Sequence, residues 1–331
     1  MGTASTAAAD PAVSDAADVA AVVAQATADL PSADEVAAKA TAKGFVSTGD
    51  VAVTIPASAD GVIQASRDGA GATVTVGTGA GSTAAGTLVG DGTVVYVGAD
   101  EVSQSVQATR DGFRLHTVIE GATAPKEFRH TVGLPSGASL VAAKDMPEAQ
   151  EPEAQEAGAG ADGAVFIVGG DGKVIGGFGV PWAKDSAGRE VPTRYEVRGS
   201  ELVQVVDHHE GLAYPVVADP YLGFDMISSA RWVHRSDGWT MEVTPTGWAR
   251  SFAGGYLPGV YGWNELYDKY RNRGLNRNLD GMRDQWICHQ QVVAIRSPRK
   301  PTWNLDEWRP DVSYIQTVNA SCNPGGARWF D

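Results

Sequence analysis

The chain of 331 residues has only two cysteines and five methionines. It also lacks any apolar run of about 18 residues, the length that a membrane-spanning helix needs. Basic residues are few, 26 Lys and Arg against 40 Asp and Glu, and the net charge is −14. A surface of that charge repels nucleic acid unless a local basic face overrides it. We therefore expect no transmembrane segment and no nucleic-acid partner.

Motifs of common catalytic and metal sites are also missing. The sequence has no Gly-x-Ser-x-Gly elbow, and no Cys-x-x-Cys or His-x-x-x-His spacing that suits zinc. His208 and His209 are adjacent, so on a strand they face opposite sides. The sequence therefore predicts no metal site and no cofactor.

The N-terminus lacks the basic and apolar segments of a signal peptide. Its opening is rich in alanine and is followed by Asp10-Pro11, as in the residues that follow a signal cleavage site. We expect a secreted protein whose signal peptide is absent from this chain. The alternative is a cytosolic protein that begins in this way.

Charge and aromatic residues divide the chain near residue 220. Residues 1–224 carry 13 Lys and Arg against 29 Asp and Glu, whereas residues 225–331 carry 13 against 11. Eight of the nine tryptophans and both cysteines also follow residue 224. This predicts an Ala-rich helical segment over 1–44, a β-rich domain over 45–220 with a solvated acidic loop over 143–162, and a Trp-rich domain over 221–331.

Two patterns set the expected fold of the first two regions. Alanine-rich, weakly amphipathic stretches predict helices over 13–30 and 32–43. From residue 51, short β-branched runs alternate with Asp-Gly dipeptides, which suit tight hairpin turns. We expect an antiparallel, sandwich-like, all-β region.

The tail combines a hairpin pattern with helical patterns. Runs over 231–235 and 239–243 flank a Ser-Asp-Gly turn, and Trp239, Met241 and Val243 share one face. Apolar residues at helical spacing predict helices through 263–270 and 282–293, and a third that starts at Pro310. We therefore expect a small α+β domain.

Cys288 lies on the second predicted tail helix and Cys322 lies behind the third. An even pair of cysteines in a compact, Trp-rich unit suggests a disulfide. A closed loop of this length would stabilise the fold by about 3–4 kcal/mol. The alternative is two buried free thiols.

Two parts of the chain resemble known families. Residues 181–189, followed by the sequence YPVVADP at 214–220, resemble the β-rich segment of secreted proteins of high-GC Gram-positive bacteria. That segment is similar to the one in Rhs-type wall-associated proteins. The strings CH at 288–289, KPTWNLDEWRPDV at 300–312 and CNP at 322–324 resemble a secreted bacterial domain of unknown function. The resemblance implies an exported modular protein with paired cysteines, and it supplies no catalytic residue.

The tail also holds the candidate catalytic residues. His289 follows Arg283 and Asp284 on one predicted helix, so an imidazole lies near a carboxylate and a guanidinium. Such a set can act as a general base or grip a phosphate. The alternatives are a core histidine that bonds a backbone carbonyl, and ion pairs that brace a small domain.

Aromatic and charged residues supply the candidate binding set, because exposed indole rings stack on sugar faces. The alternatives are core packing for the tryptophans and a solvated helix end for the cations. The set consists of tryptophans near predicted loops, a polar cluster beside prolines and a basic helix end: Trp303, Trp308, Asp306, Arg309, Arg271 and Arg273, with Trp232, Trp248, Asp311, Lys269 and Arg277 nearby.

These observations predict a secreted bacterial protein whose C-terminal domain acts as an effector, as an antibacterial toxin or an envelope-directed hydrolase. The alternative is a non-catalytic protein that binds the cell envelope or a glycan, so whether the domain is an enzyme stays open. The expected partners are a cell-envelope polymer or another bacterial cell, together with an immunity or carrier protein.

Overall fold

The computed structural model describes residues 15–30, 34–67, 73–79, 83–158 and 163–326. The chain divides into two compact units. The first comprises Met1–Leu30, Glu35–Pro135 and Pro181–Tyr221, and the second comprises Pro31–Asp34, Ser136–Val180 and Leu222–Asp331. The β-rich region predicted over 45–220 therefore contributes strands to both units.

Strands outnumber helices along the described chain. The strands are β1 (Lys39–Thr41), β2 (Gly44–Thr48), β3 (Val51–Pro56), β4 (Val62–Arg67), β5 (Thr73–Gly77), β6 (Gly86–Val89), β7 (Thr93–Tyr96), β8 (Val102–Ala108), β9 (Gly112–Ile119), β10 (Glu127–Gly133), β11 (Ser139–Ala142), β12 (Val165–Val168), β13 (Val174–Phe178), β14 (Trp182–Lys184), β15 (Thr193–Arg198), β16 (Glu201–Val206), β17 (Val216–Asp219), β18 (Tyr221–Gly223), β19 (Ile227–Arg235), β20 (Gly238–Pro245) and β21 (Trp303–Asp306). The α-helices are α1 (Ala16–Thr27), α2 (Pro152–Glu156), α3 (Gly247–Ser251), α4 (Tyr256–Tyr270), α5 (Leu279–Cys288), α6 (Ala294–Arg296) and α7 (Tyr314–Asn319). None of the described helices has the length and apolarity needed to cross a bilayer.

The first unit is built from two antiparallel sheets. One sheet has the order β1-β2-β3-β4-β5-β10-β16-β15, and the other runs β6-β7-β8-β9-β17-β14. Buried and exposed residues alternate along β3 and β10, as expected of a sheet with one covered face. Strand β9 is buried on both faces because α1 packs Val19 and Val23 against Val118.

The predicted fold class, a β-rich sandwich-like region with an α+β tail, is confirmed.

The N-terminal segment contains one of the two predicted helices. Helix α1 begins at a cap in which the Asp15 carboxylate accepts hydrogen bonds from the N–H groups of Ala17 and Asp18 at 2.8 and 3.0 Å. The prediction of a second helix over 32–43 is wrong, although its start at Ser32 lies outside the described residues. Residues Lys39–Thr41 form β1, because pairing with β2 overrides the helix preference of alanine.

The acidic segment over 143–162 also differs from the predicted solvated loop. Its described part forms two 3₁₀ turns, Ala143–Asp145 and Pro147–Gln150, followed by α2. Met146, between the two turns, and Ala149 are buried, whereas Asp145 and Glu151 are exposed. Residues 159–162 lie outside the described part. Small apolar side chains spaced between the acids therefore anchor the segment.

The last hundred residues of the second unit form a three-stranded sheet packed with helices. The predicted hairpin is present as β19 and β20, and β21, which the sequence did not reveal, pairs with β20. Helices α4 and α5 match the two predicted patterns. The third helix starts at Tyr314 rather than at Pro310, because Ser313 and Gln316 form a capping box there.

A disulfide joins Cys288 and Cys322, whose Cα atoms are 5.5 Å apart. The predicted pairing is confirmed. The bond ties the last residue of α5 to the turn after α7, and it closes a loop across 34 positions of the chain. It therefore holds the C-terminal segment against the helical layer of the unit.

Candidate functional site: a cleft between two tryptophans

The structure places two of the four tryptophans predicted to bind a ligand in the core. Trp303 and Trp248 are 0% and 1% exposed. The Trp303 ring packs against Trp286 with a centroid distance of 4.9 Å. Trp308 is half-buried, and the Arg309 guanidinium lies 4.5 Å from the centre of its ring. Core packing accounts for Trp303 and Trp248.

His289, the candidate general base, lies in the interior at the start of a π-helical turn, His289–Val293. Its side chain is 3% exposed, and its Nδ1–H donates to the Gln285 carbonyl at 2.7 Å. Burial, together with the nearby Lys300 ammonium, lowers the pKa of His289 to about 4. These contacts are those of a core histidine that bonds a backbone carbonyl.

Arg283 and Asp284 lie on α5, which ends directly before His289. Arg283 Nη1 lies 3.3 Å from Asp284 Oδ1. His289 follows Asp284 by five positions, and at 100° per residue this turns the two side chains about 140° apart around the helix axis. Across the described residues, no three His, Cys, Asp or Glu side chains gather closely enough to hold a metal ion.

Asp306 and Arg309 form a buried ion pair. Arg309 Nε donates to Asp306 Oδ2 at 2.6 Å, and the Thr240 hydroxyl donates to Asp306 Oδ1 at 2.6 Å. Arg309 Nη1 also donates to the Pro324 carbonyl at 3.1 Å. The pair therefore links β20, β21 and the C-terminal segment, and both side chains are buried.

Gln285, a buried residue of α5, binds the backbone of β21. Its Nε2 donates to the Asp306 carbonyl at 3.1 Å, and its Oε1 accepts the Asp306 N–H at 2.8 Å. Both backbone groups of one strand residue are therefore satisfied by a single amide.

A cleft of about 320 Å³ opens at the tip of the β19–β20 hairpin. It is lined by two indole rings, two polar side chains, one arginine and one glycine: Trp232, Trp239, Asn276, Glu307, Arg277 and Gly274. Pairing of Trp232 with Met241, and of His234 with Trp239, places both tryptophans on the sheet face that carries Met241. Met241 is fully buried, whereas Trp239 is 46% exposed.

Local contacts fix the two rings. Trp232 Nε1 donates to the Arg273 carbonyl at 3.0 Å. Trp239 meets the His234 ring edge-on, with a centroid distance of 4.9 Å. Gly274 has φ 96°, and a Cβ there would lie 3.1 Å from Trp232 Nε1. The positive φ therefore favours glycine at this position, and a Cβ there would crowd the Trp232 indole.

The loop opposite the hairpin is tied to the strands. Asn278 Nδ2 donates to the carbonyls of Glu307 and Arg309 at 3.0 and 2.9 Å. The Glu307 N–H donates to the Trp239 carbonyl at 3.0 Å. Leu275 is fully buried beneath the loop. The walls of the cleft are therefore set before any ligand arrives, which lowers the ordering cost of binding.

The predicted basic residues differ in their surroundings. Lys269 is paired with Glu265 at 2.6 Å and with Asp225 at 3.2 Å. Arg271 and Arg273 are exposed on the 3₁₀ turn that leads into Gly274. Arg271 pairs with Asp268 at 3.4 Å, and the Arg273 guanidinium lies 5.5 Å from the centre of the Tyr270 ring. Of the predicted basic residues, Arg277 lines the cleft, and the Arg273 backbone carbonyl contacts the Trp232 indole.

Trp239, Asn276 and Glu307 were not among the predicted binding residues. The alternation along β20 predicted that Trp239 shares a face with Met241 and Val243, and the strand pairing agrees with that placement. A signal was present in the Ser-Asp-Gly turn, because pairing across it puts Trp239 at the very tip of the hairpin. The tip lies beyond the residues that α5 covers.

The region around the cleft matches a known family. Residues 227–325 match the family described as "Protein of unknown function (DUF2599)". Uncharacterised proteins of Mycobacterium bovis and of two strains of Mycobacterium tuberculosis are 53% identical to this chain over 45 residues. That match covers 14% of this chain and 30% of each relative, so the chain spans about a third of the length of these curated relatives.

No solved structure matches the chain. The predicted resemblance of the tail to a bacterial domain of unknown function is confirmed, whereas the resemblance of residues 181–220 to Rhs-type proteins stays a prediction. Every residue that lines the tryptophan cleft lies inside the matched range, so the cleft belongs to the domain that matches DUF2599.

Proposed function

We propose that the C-terminal domain is a non-catalytic module that binds a saccharide of a cell-envelope polymer in the cleft between Trp232 and Trp239. One observation carries this proposal. Two indole rings converge on a single open cleft whose walls are fixed by hydrogen bonds to the backbone. A ligand site of this kind combines apolar faces with a few placed polar groups.

The chemistry of the lining suits a sugar ring. The C–H faces of a pyranose are apolar and flat, so they pack on the exposed face of Trp239. The rim of the ring carries hydroxyl groups, for which the Asn276 amide and the Glu307 carboxylate offer donors and acceptors. An apolar peptide would leave these polar groups without partners on binding.

The effector hypothesis, as a toxin or an envelope-directed hydrolase, receives less support from the geometry. Its candidate base, His289, is buried and bonded to a backbone carbonyl. An enzyme would need a titratable group within reach of a substrate. The catalytic roles of His289, Asp284 and Arg283 therefore stay predictions.

A location outside the cytoplasm fits the proposal. Disulfides persist outside the reducing cytosol, and the Cys288–Cys322 bond lies in the same domain as the cleft. A protein outside the cytoplasm meets envelope polymers directly. The polymer is the proposed partner, and a role for an immunity or carrier protein stays a prediction.

The test is a binding assay on the full chain, with cell-wall polysaccharides on an array and the tetramer of N-acetylglucosamine in solution. We expect saturable binding that Trp239→Ala weakens about tenfold or more, since truncation of a central aromatic anchor removes most of the contact. Trp239→Phe keeps an aromatic face and should retain part of the affinity.

Ile315→Ala is the matched control, because Ile315 is 50% exposed in the same unit and lies outside the cleft. Its affinity should equal that of the unaltered chain. Absence of binding to every saccharide, or equal affinities for the Trp239→Ala variant and the unaltered chain, would refute the proposal.

A further inference from the structure

The peptide bond between Asp219 and Pro220 lies at the end of β17, close to Tyr221, the last residue of the first unit. It is a tertiary amide, because the proline nitrogen carries no hydrogen. The aspartate supplies a carboxyl group that can reach its own carbonyl carbon by closing a five-membered ring. Such a ring closure is intramolecular, so it avoids the entropy cost of bringing two molecules together. An Asp-Pro bond therefore carries its own nucleophile.

The Asp219 carboxyl group is buried without a close partner. Its side chain is 2% exposed, and within the described residues its Oδ2 has no hydrogen-bond partner. Arg114 Nε lies 4.0 Å from this oxygen, which is too long for a hydrogen bond. Burial raises the pKa of Asp219 to about 7, although the Arg114 charge opposes the shift. Near neutral pH much of this carboxyl group therefore keeps its proton.

Few groups near Asp219 can change its charge. Strand β9 contributes Arg114 and the neighbouring His116, whose own pKa burial lowers to about 3, so that its ring stays neutral. The partner of Asp219 on β14 is Trp182, which does not titrate. Strand β15 contributes Tyr195. The protonation of Asp219 is therefore set mainly by its own burial.

A phenol group binds the carbonyl that such an attack would convert to an oxyanion. The Tyr195 hydroxyl donates to the Asp219 carbonyl oxygen at 3.0 Å, a distance typical of the donors that stabilise oxyanions. Burial and the nearby Asp219 raise the pKa of Tyr195 above its usual range, so its hydroxyl remains a donor. On the other side of the bond, the Leu115 N–H donates to the Pro220 carbonyl at 3.0 Å. Hydrogen bonds therefore hold both carbonyls next to the bond.

The strand conformation also favours attack by the side chain. Side chains of a strand stand roughly perpendicular to the sheet, whereas the peptide groups lie close to its plane. A nucleophile approaches a carbonyl carbon from above or below the plane of the peptide group. The Asp219 side chain therefore extends on a side from which attack on its own carbonyl carbon is possible.

We propose that the Asp219–Pro220 bond cleaves itself in the folded protein, with Asp219 as the nucleophile and Tyr195 as the donor to the developing oxyanion. Cleavage separates residues 220–331, which include the whole range that matches DUF2599, from the preceding part of the chain. The inference does not depend on the proposed saccharide site.

The reaction needs no reagent except water. An oxygen of the protonated Asp219 carboxyl group attacks the Asp219 carbonyl carbon and forms a C–O bond, while Tyr195 binds the oxyanion. When the carbonyl re-forms, the C–N bond breaks, its electron pair stays on the Pro220 nitrogen, and this nitrogen takes the carboxyl proton. The products are a cyclic anhydride at Asp219 and a new N-terminus at Pro220. One water molecule then opens the anhydride to two carboxyl groups.

The experiment follows the intact mass of the full chain at pH 5.5. The sequence contains an internal control, Asp10-Pro11, which lies outside the described residues. With an ordinary pKa of about 3.9, about one in forty Asp10 carboxyl groups is protonated at this pH. We expect the Asp219–Pro220 bond to cleave at least about tenfold faster than the Asp10–Pro11 bond. In concentrated guanidinium chloride the two bonds should cleave at similar rates, because the surroundings of Asp219 are lost.

Variants assign the two roles. Asp219→Asn should abolish the fragment that begins at Pro220 over the same incubation. Tyr195→Phe should slow its formation about a hundredfold, because the oxyanion loses its donor. Tyr221→Phe is the matched control, since the Tyr221 hydroxyl is also buried but donates to the Asp111 carboxylate at 2.7 Å. Its cleavage rate should not change. Urea unfolding of each variant confirms that it is folded.

Added hydroxylamine tests the anhydride. It should convert part of the new C-terminal Asp219 to a hydroxamate, which mass spectrometry identifies, whereas simple hydrolysis by water leaves none. Absence of the fragment that begins at Pro220, or equal rates at the two Asp-Pro bonds of the folded chain, would overturn the proposal. Absence of the hydroxamate would overturn the role of Asp219 as the nucleophile. A folded Tyr195→Phe variant that cleaves as fast as the unaltered chain would overturn the role of Tyr195.

Discussion

Trp303 and Trp239 lie on the same face of one three-stranded sheet, yet they have opposite surroundings. Trp303 pairs with Val243 and is fully buried against Trp286 of α5. Trp239 lies four residues before Val243 on β20, at the tip, and is 46% exposed. The helical layer covers one end of the sheet and leaves the other end open. Two tryptophans on the same face of the sheet therefore differ in burial because they lie at different positions along the strands.

The largest expected effect is a contrast between two truncations. Trp303→Ala should lower the free energy of unfolding by about 3–5 kcal/mol, because it leaves a large cavity in a packed interior. Trp239→Ala should lower it by about 1 kcal/mol, since half of the ring already faces solvent. Urea unfolding of both variants measures the difference. Equal losses would mean that the hairpin tip belongs to the core.

A second comparison concerns the disulfide, which starts from α5, one of the helices that cover the sheet. The double variant Cys288→Ala, Cys322→Ala should lose about 3–4 kcal/mol of stability, because the unfolded chain regains the freedom that the closed loop removes. Unfolding of the unaltered chain with and without a reductant gives an independent measure. Stability that is the same in both redox states would contradict the prediction.

The pH dependence of the covered end gives the third prediction. Burial holds the pKa of His289 at about 4, below the usual 6.5, so the unfolded state binds a proton that the folded state excludes. The stability due to His289 is fully present above pH 6.5 and is lost as the pH falls towards 4. The loss is about 3 kcal/mol at most.

His289→Gln should remove this part of the acid sensitivity, which urea unfolding at pH 7 and pH 4 can measure. His234→Gln is the matched control, because His234 is exposed at the hairpin tip. An unchanged pH profile in the His289→Gln variant would contradict the assigned pKa.

Local patterns in the sequence predicted much of the second unit. The Ser-Asp-Gly turn predicted the hairpin, the spacing of apolar residues predicted α4 and α5, and the presence of two cysteines predicted the disulfide. The hairpin and the helices depend on residues that are close together in the sequence. The disulfide could be predicted because paired cysteines in a small domain are typically bonded. Strand β21 was missed because its pairing with β20 depends on residues about sixty positions away.

The candidate site was predicted only in part. Trp232 and Arg277 were recognised by type. Trp239 was placed only on a face shared with Met241 and Val243, and Glu307 was not among the candidate residues. Alternation shows which residues share a face, but it does not show where the covering helices end. The burial of Asp306 and Arg309 could not be predicted for the same reason, because nothing in the local sequence shows that both side chains are covered.

The amide of Gln285 has a consequence for solubility. Strand β21 forms one border of its sheet, and a border strand offers free N–H and C=O groups on which another chain can add a strand. Because Gln285 occupies both groups of Asp306, it blocks that template at the last residue of β21. A side chain of α5 thereby guards the domain against edge-to-edge self-association.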